Sequence, residues 1–334
     1  MDSLKRALII GLNRYAHSSQ LHGCVEDAKN ISEELEEHSD RERNYHCRTL
    51  LDKMEDGSEI TRAQLYKACN ELFTDARDDV LLYFSGHGML TPYAGYLCAY
   101  DSDKNDWGVP METIMKMANA SAAPHILVIL DCCHAGDFAN PGLVPAGNGQ
   151  NPLALLRENM TVMAASLRSQ AAVEANGNGV FTTAIVNALK GAAADPMGWV
   201  TAPAIYAYVE RRFGAFDQRP VYKSYATGVR VVRKCAPLIE RFKLRRLVEL
   251  FPTEYYLYQM NPEYEPEDEN GNVHEPVKEE KVEIAKLFKQ YRDAGLLRAT
   301  ITDEQLYWTA RRSHTAELTL RGREYWWLVK NNKL

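Results

Sequence analysis

Apolar residues in this chain fall into short, nearly unbroken runs, separated by longer stretches where they recur every three or four positions. The runs lie at residues 6–12, 47–51, 79–84, 125–130 and 161–166, and each leads into polar or small residues. Runs of this length, rich in Ile, Leu and Val, predict strands covered on both faces. The stretches between them predict helices, one opening at residues 21–28 and continuing to about 37, others over 61–73 and 111–118. Leu65, Cys69 and Leu72 share one helical face, and Thr61 stands where an N-cap belongs. Further helices are expected from 179–185 onward and over 202–213, with a strand over 95–101 and an extended segment at 219–222. Residues 137–152, rich in Gly and Pro, read as a surface loop. Strands alternating with helices predict an α/β domain built on a mostly parallel sheet flanked by helices.

The pattern changes around Cys235–Ala236–Pro237. Residues 238–251 are amphipathic, 277–294 read as a helix closed by Gly295, 317–320 as a short strand and 323–329 as a final aromatic-rich helix. Between them, residues 262–276 are acidic and carry three prolines and Asn270–Gly271, which predicts a loop or disordered insert. The expected organisation is therefore a large domain over 1–235 and a small, winged-helix-like domain over 236–334.

With 334 residues and 46% apolar composition, the chain can bury a full core. A net charge of −6 argues against a nucleic-acid coat or a basic membrane patch, and the near balance of charges in the tail argues against DNA binding there. No apolar run reaches membrane-span length, and the first residues pass straight into a strand without a signal-peptide core. The seven cysteines (24, 47, 69, 98, 132, 133 and 235) are odd in number and scattered, which suits free thiols in a reducing, cytoplasmic setting. No Cys-x-x-Cys pair suggests a structural zinc.

Two of the expected strands end in reactive chemistry. One runs into Ser85–Gly86–His87–Gly88, the other into Asp131–Cys132–Cys133–His134–Ala135–Gly136. Most cysteines and histidines are structural. A thiol and an imidazole at neighbouring strand ends, in small-residue turns, point instead to a nucleophile and its base. His87 would take the proton of Cys133, and the backbone N–H groups of Gly88 and Cys133 are candidate donors to an oxyanion. His134 competes as base, but adjacent side chains diverge, which favours His87. Asp131, two residues before Cys133, lies on the same side of an extended chain.

The His87 and Cys133 blocks resemble those of the metacaspases, in the caspase-like clan of cysteine peptidases. Cys133 follows His87 by 46 positions, near the spacing of about 50 in that clan. Residues 21–28 (Leu-His-Gly-Cys-Val-Glu-Asp-Ala) and Ala164–Ala165–Ser166, continuing through Gln170 and Glu174 to residues 179–182, resemble two further blocks, so the similarity spans about 5–230. It implies a cysteine endopeptidase cutting proteins after Arg or Lys, with Cys24, Asp27, Ser85 and Asp131 lining the pocket for that side chain. A basic side chain needs such acids, and no arginine stands at these positions, as cleavage after Asp would require. No cofactor is required. Calcium activation, known among metacaspases, would draw on Asp101, Asp103, Asp106 and Asp137, but their spacing carries no loop signature and Asn140 stands where another acid is wanted. Residues 137–156 contain no Lys or Arg, so a basic-specific enzyme could not cut itself there and is expected to work as one uncut chain. Winged-helix modules on bacterial caspase-like effectors are similar in kind to the tail and dock to sensor proteins, which implies a defence or cell-death effector. Tyr325, Trp326 and Trp327 are candidate anchors, or else the tail's own core. The rival reading is a caspase-like scaffold; the presence of both His87 and Cys133 argues against it.

Overall fold

A computed structural model describes residues 5–74, 76–91, 94–132, 156–165, 174–175, 178–213, 219–267, 270–273 and 276–334. Cys133, His134, Asp137, Asn140 and the 137–152 loop lie outside the described residues. The chain divides into two compact units, one of Met1–Ala194 with Trp199–Cys235 and one of Asp195–Gly198 with Ala236–Leu334.

In chain order the first unit runs β1 (Lys5–Gly11), α1 (Cys24–Glu36), β2 (Tyr45–Leu51), α2 (Arg62–Phe73), β3 (Val80–Ser85), β4 (Gly88–Leu90), β5 (Gly95–Leu97), β6 (Val109–Pro110), α3 (Met111–Ala120), β7 (Ile126–Asp131) and β8 (Met160–Ala164). It continues with β9 (Glu174–Ala175), β10 (Asn178–Gly179), α4 (Val180–Asn187), β11 (Trp199–Thr201), α5 (Ala202–Glu210), β12 (Val221–Tyr225) and β13 (Val231–Lys234). The main sheet has the order β12-β8-β7-β3-β1-β2, parallel except for β12 at one edge. Its side chains alternate between two cores. Leu8, Ile10, Leu82, Phe84, Val128 and Leu130 meet α2 and α3 on one face. Ala7, Ile9, Leu81, Tyr83 and Ile129 meet α1, α4 and α5 on the other. This two-sided burial is why the strands read as unbroken apolar runs.

Thr61 caps α2 in a reciprocal box with Gln64. Two expectations shift. The strand expected over 95–101 is only Gly95–Leu97, paired with β4 and β6 in a small separate antiparallel sheet; beyond it the Ser102 hydroxyl accepts the Ala99 N–H at 2.8 Å and turns the chain. The extended segment near 219–222 is a full antiparallel edge strand reaching Tyr225.

His38, just past α1, is buried and its Nδ1 accepts the Lys234 N–H at 3.0 Å. Burial first, then Lys5 and Lys234, lower its pKa from 6.5 to about 4. A depressed folded-state value means that this contribution to stability is full above pH 6.5 and is lost as pH falls through about 4. His38→Asn keeps an acceptor but cannot titrate. Its melting temperature should therefore fall less steeply than the wild type's between those pH values, as thermal unfolding across a pH series would show.

The second unit comprises α6 (Arg241–Arg245), α7 (Leu247–Leu250), β14 (Tyr258–Gln259), α8 (Glu279–Asp293), β15 (Leu297–Ala299), α9 (Leu306–Arg311), β16 (Thr315–Leu318) and α10 (Leu320–Lys330). Its sheet has the order β14-β16-β15, antiparallel throughout. Phe251 stacks on Phe288 with ring centroids 5.7 Å apart, beside Tyr258 and Tyr291. Gly295 (φ 71°) ends α8, with the Leu296 N–H returning to the Tyr291 carbonyl. The amphipathic segment 238–251 is two short helices, broken at Arg246. Tyr325 is buried, and the Trp326 indole donates to the Phe251 carbonyl at 2.7 Å, so both serve this unit's own core; Trp327 is 45% exposed. The described part of the acidic insert takes the loop alternative, as a loop pinned by its own contacts. Pro262–Tyr264 is a 3-10 turn, Glu263 pairs with Lys278 and Lys281, Glu265 pairs with Lys289 at 2.6 Å, and the Tyr264 hydroxyl meets that of Tyr258 at 2.9 Å. The acids face lysines at the head of α8 and farther along it, which a local reading of charge does not reveal.

Candidate active site

β1, β3 and β7 end level with one another, with Gly11 beside Ser85 and Ser85 beside Asp131. The carboxyl edge of a parallel sheet is where α/β proteins place ligands. Gly11 admits α1 to this edge: a Cβ there would sit 2.3 Å from the Cys24 carbonyl oxygen and 2.7 Å from the Ala28 Cβ. The first turn of α1, with Cys24 and Asp27, is thereby laid over the row. Asp27 and Ser85 are buried, and Asp131 is partly buried. The Cys24 N–H donates to Asn13 Oδ1 at 3.0 Å, and the Asn13 N–H to Asp52 Oδ1 at 2.6 Å, which ties the start of the β1–α1 loop to the head of α1 and to the residue just past β2.

That loop holds His87. The imidazole Nε2 lies 2.8 Å from the Ser19 carbonyl oxygen and 3.4 Å from its hydroxyl. A carbonyl can only accept, so Nε2 carries the proton and Nδ1 keeps its lone pair in the neutral ring. The Tyr15 ring packs against the imidazole, centroids 4.6 Å apart, while its hydroxyl accepts the His87 N–H at 2.8 Å and donates to the Leu12 carbonyl. Gln20 clasps Tyr15 in turn, its oxygen taking the Tyr15 N–H at 3.2 Å and its amide donating to the Tyr15 carbonyl at 2.7 Å. Gly88 follows at the half-buried start of β4.

Asp131 is held from α4. The Thr182 hydroxyl donates to Asp131 Oδ2 at 2.6 Å, and the Tyr83 hydroxyl lies 2.6 Å from the same Thr182 oxygen. Burial pushes the Asp131 carboxyl up, against the pull of the Thr182 hydroxyl and N–H. Tyr83 is pushed well above the usual phenol range by burial first and then by the charges of Asp131 and Asp27.

The structure thus gathers Cys24, Asp27, Ser85 and Asp131 at one edge, with His87 two residues beyond Ser85. Sequence reasoning missed Tyr15, Ser19 and Gln20, which sit in a loop without periodicity, and assigned no role to Thr182 within its block. Three of the four candidate calcium ligands are described, and each has partners within the chain. Asp101 accepts the Arg62 N–H at 2.7 Å, Asp106 meets the Arg62 guanidinium at 3.1 Å, and Asp103 accepts the N–H groups of Asn105 and Asp106. Among the described residues no group of three His, Cys, Asp or Glu side chains is arranged for a metal, and no helix is long and apolar enough to cross a membrane.

A buried, mostly parallel sheet covered by helices on both faces, with a tautomer-fixed imidazole just beyond the end of β3 and a carboxylate at the end of the neighbouring β7, defines the α/β class of this domain. The caspase domain family (Peptidase_C14) matches residues 4–231, and the chain belongs to that family of cysteine peptidases. Metacaspase-1 of Coccidioides immitis is 30% identical over 144 residues, covering 40% of this chain and 31% of that protein. Metacaspase-1A of Aspergillus oryzae is 34% identical over 90 residues, covering 26% and 22%. Metacaspase-1A of Aspergillus niger is 28% identical over 153 residues, covering 40% and 36%. The chain thus spans about a third or less of the length of these relatives. The crystal structure of protein GSU0716 from Geobacter sulfurreducens superposes with a TM-score of 0.49 at 17% identity, covering 70% of this chain and 98% of that one.

Proposed function

We propose that the chain is an endopeptidase that cleaves proteins after Arg or Lys, with Cys133 as nucleophile and His87 as base. The observation that carries this reading is the arrangement at the sheet's carboxyl edge, where β3 and β7 end level with Ser85 beside Asp131 and the His87 imidazole, just beyond β3, is held by Ser19. His87 Nδ1 takes the thiol proton, and the thiolate attacks the scissile carbonyl. The N–H groups of Gly88 and Cys133 receive the oxyanion. The Ser19 carbonyl steadies the imidazolium, which then protonates the leaving amine, and water releases the acyl group with His87 again as base. Cys24, Asp27, Ser85 and Asp131 form the recess for the basic side chain. The chemistry needs no cofactor, and calcium modulates it at most. In this reading the second unit is a winged-helix-like adaptor that docks to a sensor protein in the cytoplasm, Trp327 being its exposed aromatic candidate; the defence role rests on the resemblance to bacterial effectors.

The test is hydrolysis of fluorogenic peptides ending in Arg, Lys, Asp or Leu, with calcium or with chelator, by wild type and Cys133→Ala. Turnover after Arg and Lys alone, lost with Cys133→Ala and equal under both conditions, is expected. The active preparation should show no fragment pair split between residues 137 and 156. Cleavage after Asp, or activity that survives Cys133→Ala, overturns the proposal. Silence on every peptide, with the second unit present or deleted, favours a scaffold.

A further inference from the structure

The buried hydroxyls behind Asp131 have no part in the chemistry above. We propose that Tyr83 and Thr182 form a hydroxyl chain that positions Asp131 and keeps it ionised to receive the basic side chain of the substrate. This rests on the reading of Asp131 as a pocket carboxylate.

The direction of the chain follows from proton counting. Thr182 has one hydroxyl proton, and an ionised carboxylate can only accept, so that proton goes to Asp131 Oδ2 at 2.6 Å. The Thr182 oxygen must then accept from Tyr83 at 2.6 Å. Tyr83 is fully buried and Thr182 is 1% exposed, so water cannot replace either partner. Burial and the two neighbouring carboxylates keep the phenol protonated, so it remains a donor throughout the working pH range. The Thr182 N–H, in the first turn of α4, pulls the Asp131 carboxyl down in the same direction as the hydroxyl.

The groups beside Asp131 are Ser85, its register partner on β3, and Thr182 from α4, with Tyr83 behind Thr182; the charges of Asp131 and of Asp27 on α1 both push the phenol up. Among the described residues no cation offsets the burial of Asp131. The donors of Thr182, backed by Tyr83, therefore oppose its protonation until a guanidinium or ammonium arrives. Thr182 and Tyr83 are positioning residues: they touch Asp131 and each other, not the reacting atoms.

The experiment is the pH dependence of kcat and KM on an Arg-ending peptide for wild type, Thr182→Val, Thr182→Ser, Tyr83→Phe and Asp131→Asn. Thr182→Val should lower kcat/KM about tenfold or more through KM, and the acid limb of its profile should move to higher pH. Tyr83→Phe should do the same to a smaller extent, and Thr182→Ser should restore the wild-type profile. Phe keeps the ring and Val the volume, and equal melting temperatures at pH 7 confirm folding. If Asp131→Asn abolishes cleavage but Thr182→Val and Tyr83→Phe leave the profile in place, or lower kcat alone at every pH, the hydroxyl chain is refuted and the pocket reading stands. If Asp131→Asn cleaves normally, both fall.

Discussion

His87→Ala is expected to lower kcat on Arg-ending peptides about a hundred- to ten-thousandfold while KM and melting temperature change little. The imidazole is half-buried at the edge of the domain and fills no core position. Its Nε2 proton is engaged by the Ser19 carbonyl, so the loss falls on the Nδ1 lone pair that the mechanism uses. A second readout is alkylation of Cys133 by iodoacetamide, which should slow in step with kcat if His87 supplies the base. Burial raises the Cys47 and Cys69 thiols to about 12, so they do not compete for the reagent near neutral pH. Full activity in His87→Ala would move the base elsewhere, His134 being the first alternative.

Asp131→Asn is the variant for which specificity and stability should part. Removing one member of a desolvated charge pair costs about 2–5 kcal/mol, so kcat/KM after Arg and Lys should drop from about thirtyfold to several thousandfold. The free protein should not suffer. Burial raises the folded-state pKa of Asp131. A raised carboxyl contributes stability that is full below the unfolded pKa and is lost as pH rises through the folded one. At pH 7 its ionised form is therefore a burden, which the neutral amide removes while its oxygen still accepts from Thr182. The melting temperature at pH 7 should equal or exceed the wild type's, and the difference should shrink on acidification. A variant that melts lower at pH 7 yet still cleaves after Arg would mark Asp131 as a structural cap for α4.

The main-sheet strands and most of the helices of the first unit were legible because burial on both faces of a parallel sheet writes itself as continuous apolar runs. The level ends of β3 and β7, with Ser85 against Asp131, were implied by the same pattern. The small sheet around β5 and the order in the 262–267 segment were not legible. Both depend on partners distant in sequence, Val109–Pro110 for the first and Lys278, Lys281 and Lys289 for the second.

Local sequence was enough to specify the α/β class and the caspase-like blocks, and to nominate the candidate site residues: His87 and Cys133, and the acids Asp27 and Asp131. These properties are carried by hydrophobic period and by short motifs at strand ends. What holds the described groups in place is settled by long-range packing alone. Ser19 selects the His87 tautomer from a loop 68 positions away, and Thr182 grips Asp131 from 51 positions away. Hydrogen-bond partners across such separations are chosen by how elements seat on one another, here α1 on Gly11 and α4 on the sheet's second face, and no periodicity along the chain encodes them.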